Sequence, residues 1–201
     1  MIYEFPPTDI AVPWSKNWTK SYANPVAGVG GRTYARYSFV ANATSIAPGN
    51  YTAWADSVWS PSAGTDYNSG EYPPSAAFDK RPNTDGSNLP GWHVNAGENN
   101  AAIILKNLYL SMPRSILLNR YSIEIRNDGS VSFSPTAWAI LGSNDGATWD
   151  TLDVRSSIPN TVGGAVYDFN VSMPRNTYSI YRFATNGKGG IGEWRLFGSM
   201  E

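Results

Sequence analysis

The sequence contains no cysteine and a single histidine, His93. Without Cys there is no disulfide framework, no thiolate nucleophile and no Cys-based zinc site. One His leaves no His-cluster metal centre, and a Ser-His-Asp mechanism would have to run through His93 without a G-x-S-x-G turn to present its nucleophile. Charge is also scarce: charged residues make up 15% of the 201, against about 25% in an ordinary domain. Lys and Arg number 15 and Asp and Glu 16, a net charge of −1, so the clustered cations that phosphate backbones demand are missing and nucleic-acid binding is not expected. The longest aliphatic run, Ala101 to Leu105, is far short of the ~20 residues of a membrane-spanning helix, and no membrane insertion is expected. The opening MIYEFPPTDI lacks a basic-then-apolar leader, which together with the missing Cys points to a chain folded in a cytosol.

Aromatic residues are abundant. Eight Trp, 12 Tyr and seven Phe are spread among Gly, Asn, Ser and Pro, a composition that suits a β-rich fold with long loops. Most of these rings belong in a core; those on loops suit a binding surface. Residues 1–32 carry Pro6, Pro7, Pro13 and Pro25 and then Gly28-Val29-Gly30-Gly31, which reads as an extended arm or docking segment with a flexible joint. An edge strand with an irregular lead-in is the alternative. Across 33–201 short alternating runs sit between turn signals. Tyr121, Ile123 and Ile125 alternate with Ser122, Glu124 and Arg126; Tyr167, Phe169 and Val171 with Asp168 and Asn170; Trp138 and Ile140 share one face of a third run. Asn127-Asp128-Gly129, Asn144-Asp145-Gly146, Gly163-Gly164 and Asn186-Gly187 supply the turns. No capped helical stretch of about ten residues occurs. The expected fold is an all-β sandwich of jelly-roll type.

Several possible motifs fail on inspection. Gly187-Lys188-Gly189-Gly190 resembles a phosphate loop but lacks the Ser or Thr after Lys and the following helix. The loops at Asn127 and Asn144 lack the ligand spacing of a calcium hand. No pair of carboxylates stands out for glycoside hydrolysis, and the chain is not expected to be an enzyme.

Three blocks in fixed order carry a resemblance. The first is Pro74-Ser75-Ala76-Ala77-Phe78-Asp79 with Gly91-Trp92 after a loop. The second runs from Ser134-Pro135 through Trp138-Ala139-Ile140-Leu141-Gly142-Ser143-Asn144-Asp145-Gly146 to Trp149 and Leu152. The third is Tyr181-Arg182-Phe183 followed by Gly192-Glu193-Trp194-Arg195-Leu196-Phe197-Gly198. Together they resemble the discoidin, or coagulation-factor type C, family within the galactose-binding-like superfold, over roughly Tyr34 to Phe197. In this reading Asn144-Asp145-Gly146 makes a positive-φ turn across which Trp138 and Trp149 meet inside the sandwich.

The resemblance implies a binding protein that uses the loops at one end of the sandwich. It implies a structural Ca²⁺ held by Asp79, the backbone around Asn83 and Thr84, and Glu193, an oxygen-only set suited to calcium, with Lys80 and Arg81 as opposing charges. For contact with a cell-surface glycan, the expected residues are Trp59, Trp92, His93, Arg126, Asn127, Asn186 and Lys188, with Trp54, Tyr67 and Tyr72 as further aromatic candidates. Domains of this kind occur in bacteriophage tail and fibre proteins. The leading expectation is therefore a virion protein, made in the host cytoplasm, that attaches to host carbohydrate and docks other virion proteins through residues 1–32, with homotrimers gaining avidity. Two alternatives are a virion decoration or connector protein, and a carbohydrate-binding module of a larger enzyme system.

Overall fold

The computed structural model describes residues 1–7, 18–28, 32–58, 72–80, 91–94, 105–127, 134–159, 162–173, 176–186 and 189–200, without the side chains of Leu105 and Asn186. Among these residues the chain forms β1 (Tyr3–Phe5), β2 (Thr19–Ala27), β3 (Thr33–Ala41), β4 (Gly49–Ala55), a 3₁₀ turn (Pro74–Phe78), β5 (Trp92–His93), β6 (Leu105–Glu124), β7 (Trp138–Ser143), β8 (Asp150–Arg155), β9 (Val166–Asn170), β10 (Tyr178–Asn186), β11 (Gly190–Ile191) and β12 (Glu193–Ser199). Every ladder is antiparallel. The fold is the jelly-roll sandwich expected from the sequence.

One sheet runs β2-β3-β4-β6-β10-β7-β8, and a second layer joins β1, β12, β6 and β9. Strand β6 serves both. Up to Ile116 it pairs with β4 and β10, and from Leu117 onward with β12 and β9. Its sequence accounts for the crossing. The buried apolar phase Leu108, Leu110, Met112, Ile116, Leu118 resumes as Tyr121, Ile123, Ile125. The extra residue is Asn119, which stands between the pairs Leu118↔Gly198 and Arg120↔Phe197 as a bulge. Such a bulge resets which side chains face the core.

Aromatic rings are prominent in the core among aliphatic side chains. Trp194 meets Phe183 and Phe78, each with ring centroids 5.7 Å apart, and Trp138 meets Phe183 at 5.6 Å. One polar chain links Trp138 to the edge of the core. The Trp138 indole donates to the Tyr121 hydroxyl at 2.9 Å, which donates to Asp153 Oδ2 at 2.6 Å; Arg155 Nε donates to the same oxygen at 2.7 Å. Burial and the neighbouring Asp153 carboxylate hold the Tyr121 hydroxyl well above the usual phenol range.

Three features differ from the sequence expectations. Residues 1–32, expected as an arm or alternatively as an edge strand with an irregular lead-in, contribute two paired strands, β1 against β12 and β2 at the edge against β3, as in the alternative. Ser122, Glu124 and Arg126, expected on a polar face, are buried along with their apolar neighbours. The reason is that this half of β6 is central, flanked by β12 and β9, with Arg195 3.9 Å from Glu124 and Tyr72 beneath Arg126. Trp138 and Trp149 do not meet: Trp138 is core, whereas Trp149 stands on the outer face of the sheet over Arg182, at 4.4 Å. The turn between them keeps its expected form, with Gly146 at φ +73°.

Candidate functional site

One end of the sandwich gathers side chains from three separate segments, over the backbone of a fourth. The short β5–β11 ladder sets His93 opposite Gly190. The residues that follow β6 bring Arg126 alongside, and Tyr72 leads into the 3₁₀ turn. The Arg126 guanidinium lies over the Tyr72 ring at 4.9 Å, and the His93 ring meets Tyr72 edge-on at 5.7 Å. This holds Tyr72, itself half-buried, between a cation and an imidazole. The Val94 carbonyl oxygen sits against His93 Nδ1, and since a carbonyl only accepts, Nδ1 is the donor in this contact.

Glycines make these approaches possible. A methyl group at Gly190 would come within 2.9 Å of Arg126 Cδ and 3.0 Å of His93 Cδ2. Next to the cluster, the exposed Asn127 rests on the Gly163-Gly164 turn, where a methyl group at Gly163 would lie 2.5 Å from Asn127 Oδ1. Gly164 adopts φ +74°, and its N–H donates to the Ile125 carbonyl at 2.9 Å. The segment rejected as a phosphate loop thus serves, through Gly189 and Gly190, to let the backbone pass close under this cluster.

The expected ligand residues separate into groups. His93, Arg126 and Asn127 are brought together, but Arg126 is only 2% exposed and His93 5%, so they support the surface while Asn127 reaches it. Trp92 is a correction. It is fully buried, and its indole N–H donates to the Ser57 carbonyl at 2.9 Å, so it offers no face to a ligand and belongs to the core. Trp59, Tyr67 and Lys188 lie outside the described residues, as does the side chain of Asn186. Trp54 is on the outer face of the sheet, stacked on Tyr109 at 5.1 Å, away from the loop end. In the sequence Gly163 reads as a turn residue and Gly190 as part of a rejected phosphate loop, but neither as a support for this cluster. The paired glycines were the available signal, but what they approach is set by distant strands.

The expected metal residues can be tested in part, since Asn83, Thr84 and Arg81 lie outside the described residues. Glu193, at the start of β12, is 1% exposed, and among the described residues no donor group reaches either carboxylate oxygen, while the Asp79 carboxyl lies within hydrogen-bond reach. Burial and then the negative charge of Asp79 push its carboxyl well above the usual carboxylate range. Lys80, one of the two opposing cations, has its ammonium on Glu4 Oε1 at 2.6 Å. A buried carboxyl beside a second one, with no donor group reaching it among the described residues, fits a hard divalent cation. Among the described residues no third His, Asp or Glu joins them, so backbone carbonyl oxygens would complete the set.

The F5/8 type C domain model matches residues 51–189, most of the chain, and the chain belongs to that family. No curated protein matches it. Solved structures resemble it over the sandwich. An F5/8 type C domain of a Bacteroides fragilis protein is 14% identical, covering 75% of this chain and 93% of its own, with a TM-score of 0.56. A Clostridium perfringens domain, CpGH89CBM32-5, in complex with GalNAc-β-1,3-galactose, is 18% identical, covering 73% and 94%, with a TM-score of 0.53. The family 32 carbohydrate-binding module of C. perfringens NanJ, in complex with galactose, is 18% identical, covering 73% and 93%, with a TM-score of 0.51. At these identities the likeness establishes the shared fold.

Proposed function

We propose that this chain is a non-catalytic carbohydrate-binding domain working as a module of a larger carbohydrate-active system. The observation that carries the reading is the Tyr72–His93–Arg126–Asn127 cluster at one end of the sandwich, which joins a fixed aromatic ring to polar groups. Sugars are recognised by this combination, the ring meeting C–H faces and the amide meeting hydroxyls. Tyr72 and Asn127 make the contact, and Arg126 and His93 hold Tyr72 in position. Family membership and the solved carbohydrate-binding modules of the same fold support this reading over virion attachment. Asp79 and Glu193 supply the side-chain ligands of a structural calcium ion, which would brace the 3₁₀ turn against β12.

Titration calorimetry with galactose and with GalNAc-β-1,3-galactose tests the proposal. Binding by the parent protein is expected to fall about tenfold in Asn127→Ala, the worth of one hydrogen bond at roughly 1.4 kcal/mol. Tyr72→Ala should fall further. Absence of binding to these sugars and across a broad glycan array would reject the reading, as would full affinity in both variants.

A further inference from the structure

The outer face of the larger sheet carries an unusual row of side chains. Arg36 on β3, Trp54 on β4, Tyr109 on β6 and Arg182 on β10 follow one another across the strands, with Trp54 paired to Tyr109 and Tyr109 to Arg182 in register. The Arg36 guanidinium lies 4.4 Å over Trp54; Trp54 stacks on Tyr109 at 5.1 Å and 6°; Tyr109 meets Trp149 at 5.8 Å; the Arg182 guanidinium lies 4.4 Å over Trp149. All five side chains are half-buried. Beyond Arg182 the row drops into a groove of about 350 Å³, where the short side chains of Ala139 and Ala184 oppose each other between Leu141, Ala137 and Val154. Val154 is 61% exposed on the edge strand. The groove is almost wholly apolar, with Arg182 at its wall.

Sheet faces that meet only water are ordinarily polar. Here Trp, Tyr and Arg border an apolar groove, the composition of the energetic centre of a protein interface. Among the described residues no carboxylate pairs with Arg36 or Arg182. The strands that carry the two arginines are three inter-strand steps apart, about 14 Å. A glycan fits this face less well than a protein does. The aromatic faces are already stacked on one another or on guanidinium groups, and the groove offers few hydroxyl partners.

We propose that this face docks a partner protein whose surface presents carboxylates to Arg36 and Arg182 and an aliphatic or aromatic side chain to the groove between Ala139, Ala184 and Val154. The site is separate from the loop end and leaves that end open, so one copy can hold a sugar and the partner together.

The test uses a phage-displayed random dodecapeptide library panned on the full chain, with enriched peptides synthesised and measured by fluorescence anisotropy. The expected consensus joins Asp or Glu to Leu, Phe or Trp. Its affinity should fall at least tenfold in Val154→Glu and in Arg182→Gln, and stay unchanged in Arg114→Glu, an exposed β6 position away from the face. Near-ultraviolet circular dichroism confirms that each variant is folded, and Val154→Glu, at an exposed site, remains informative should Arg182→Gln unfold. No enrichment, a basic consensus, or full affinity in Val154→Glu would overturn the proposal. So would concentration-dependent self-association abolished by Val154→Glu, which would make the occupant a second copy. Binding of polygalacturonate that depends on Arg182 would assign the face to an acidic glycan instead, and would equally overturn it.

Discussion

Gly190 is the residue on which the loop-end cluster depends most directly. Its missing side chain admits both Arg126 and His93, and a methyl group there would sit at 2.9–3.1 Å from Arg126 and 3.0 Å from His93. Both neighbours are buried, so neither can move into solvent to relieve the contact. Gly190→Ala should therefore push Arg126 off Tyr72 and weaken sugar binding by at least tenfold. Overpacking of this kind costs about 1–3 kcal/mol of stability. Calorimetry beside a urea melt reads both quantities. An unchanged affinity would show that Tyr72 keeps its position without Arg126. Asn127→Ala offers a contrast at the same scale, because an exposed amide can be removed with little effect on folding.

At the scale of elements, the 144–148 turn between β7 and β8 shows how a short motif specifies its own geometry. Asp145 Oδ1 accepts from the Ala147 and Thr148 N–H groups, each at 2.8 Å, and from the Ser143 hydroxyl at 3.0 Å. The Thr148 and Ala147 N–H groups, and then Ser143, lower the Asp145 carboxyl from 3.8 to about 2. The folded turn thus binds fewer protons than the unfolded chain between these values, so its stabilisation is complete above pH 3.8 and is lost as pH falls through about 2. Asp145→Asn should lower stability at pH 5 and flatten its dependence between pH 4 and 2, as urea midpoints across that range would read. A variant that keeps the parent slope would remove Asp145 as the source. The Asp145 part of this turn was legible in the sequence because its partners are all local, whereas Asn144 reaches across to Thr177 and Ser179. Legible too were the strands at Trp138–Ile140 and Tyr167–Val171, whose period-two pattern reports one face more buried than the other, and the strand at Tyr121–Ile125, although both its faces turn out to be buried. The burial of Glu124 and Arg126, the outward placement of Trp149 and the role of Gly190 were not legible. Each depends on which strand arrives alongside from 30 or more positions away in the chain. The site was legible to the same degree: His93, Arg126 and Asn127 stand out as polar residues at strand ends, but sequence did not show that two of them lie beneath the surface.

On the scale of the whole molecule, the two layers share β6, and the loop end is where β12 leaves the core beside the 3₁₀ turn. The proposed calcium joins these parts through Asp79, which ends that turn, and Glu193, which opens β12. Without a cation, burial and the neighbouring Asp79 charge disfavour an ionised Glu193, and among the described residues no donor group offsets that cost. An ion that binds only the folded state stabilises by about 2.7 kcal/mol at one hundred times its dissociation constant. In a domain of this size that raises Tm by roughly 5–10 °C. Millimolar CaCl₂ should produce such a rise and chelator should reverse it. Glu193→Gln removes one ligand and the charge without changing the shape of the side chain, so it should fold and show no calcium-dependent shift. A parent protein whose Tm is the same in CaCl₂ and in chelator would remove calcium from Asp79 and Glu193. A shift that survives in Glu193→Gln would move the ion to other ligands. Because Glu193 follows Ile191 and Gly192 out of β11, and β11 holds His93 in its ladder, the same ion would also steady the sugar-binding end. Galactose affinity and the calcium-dependent rise in Tm are therefore expected to be lost together in Glu193→Gln, whereas Asn127→Ala should lose only the first.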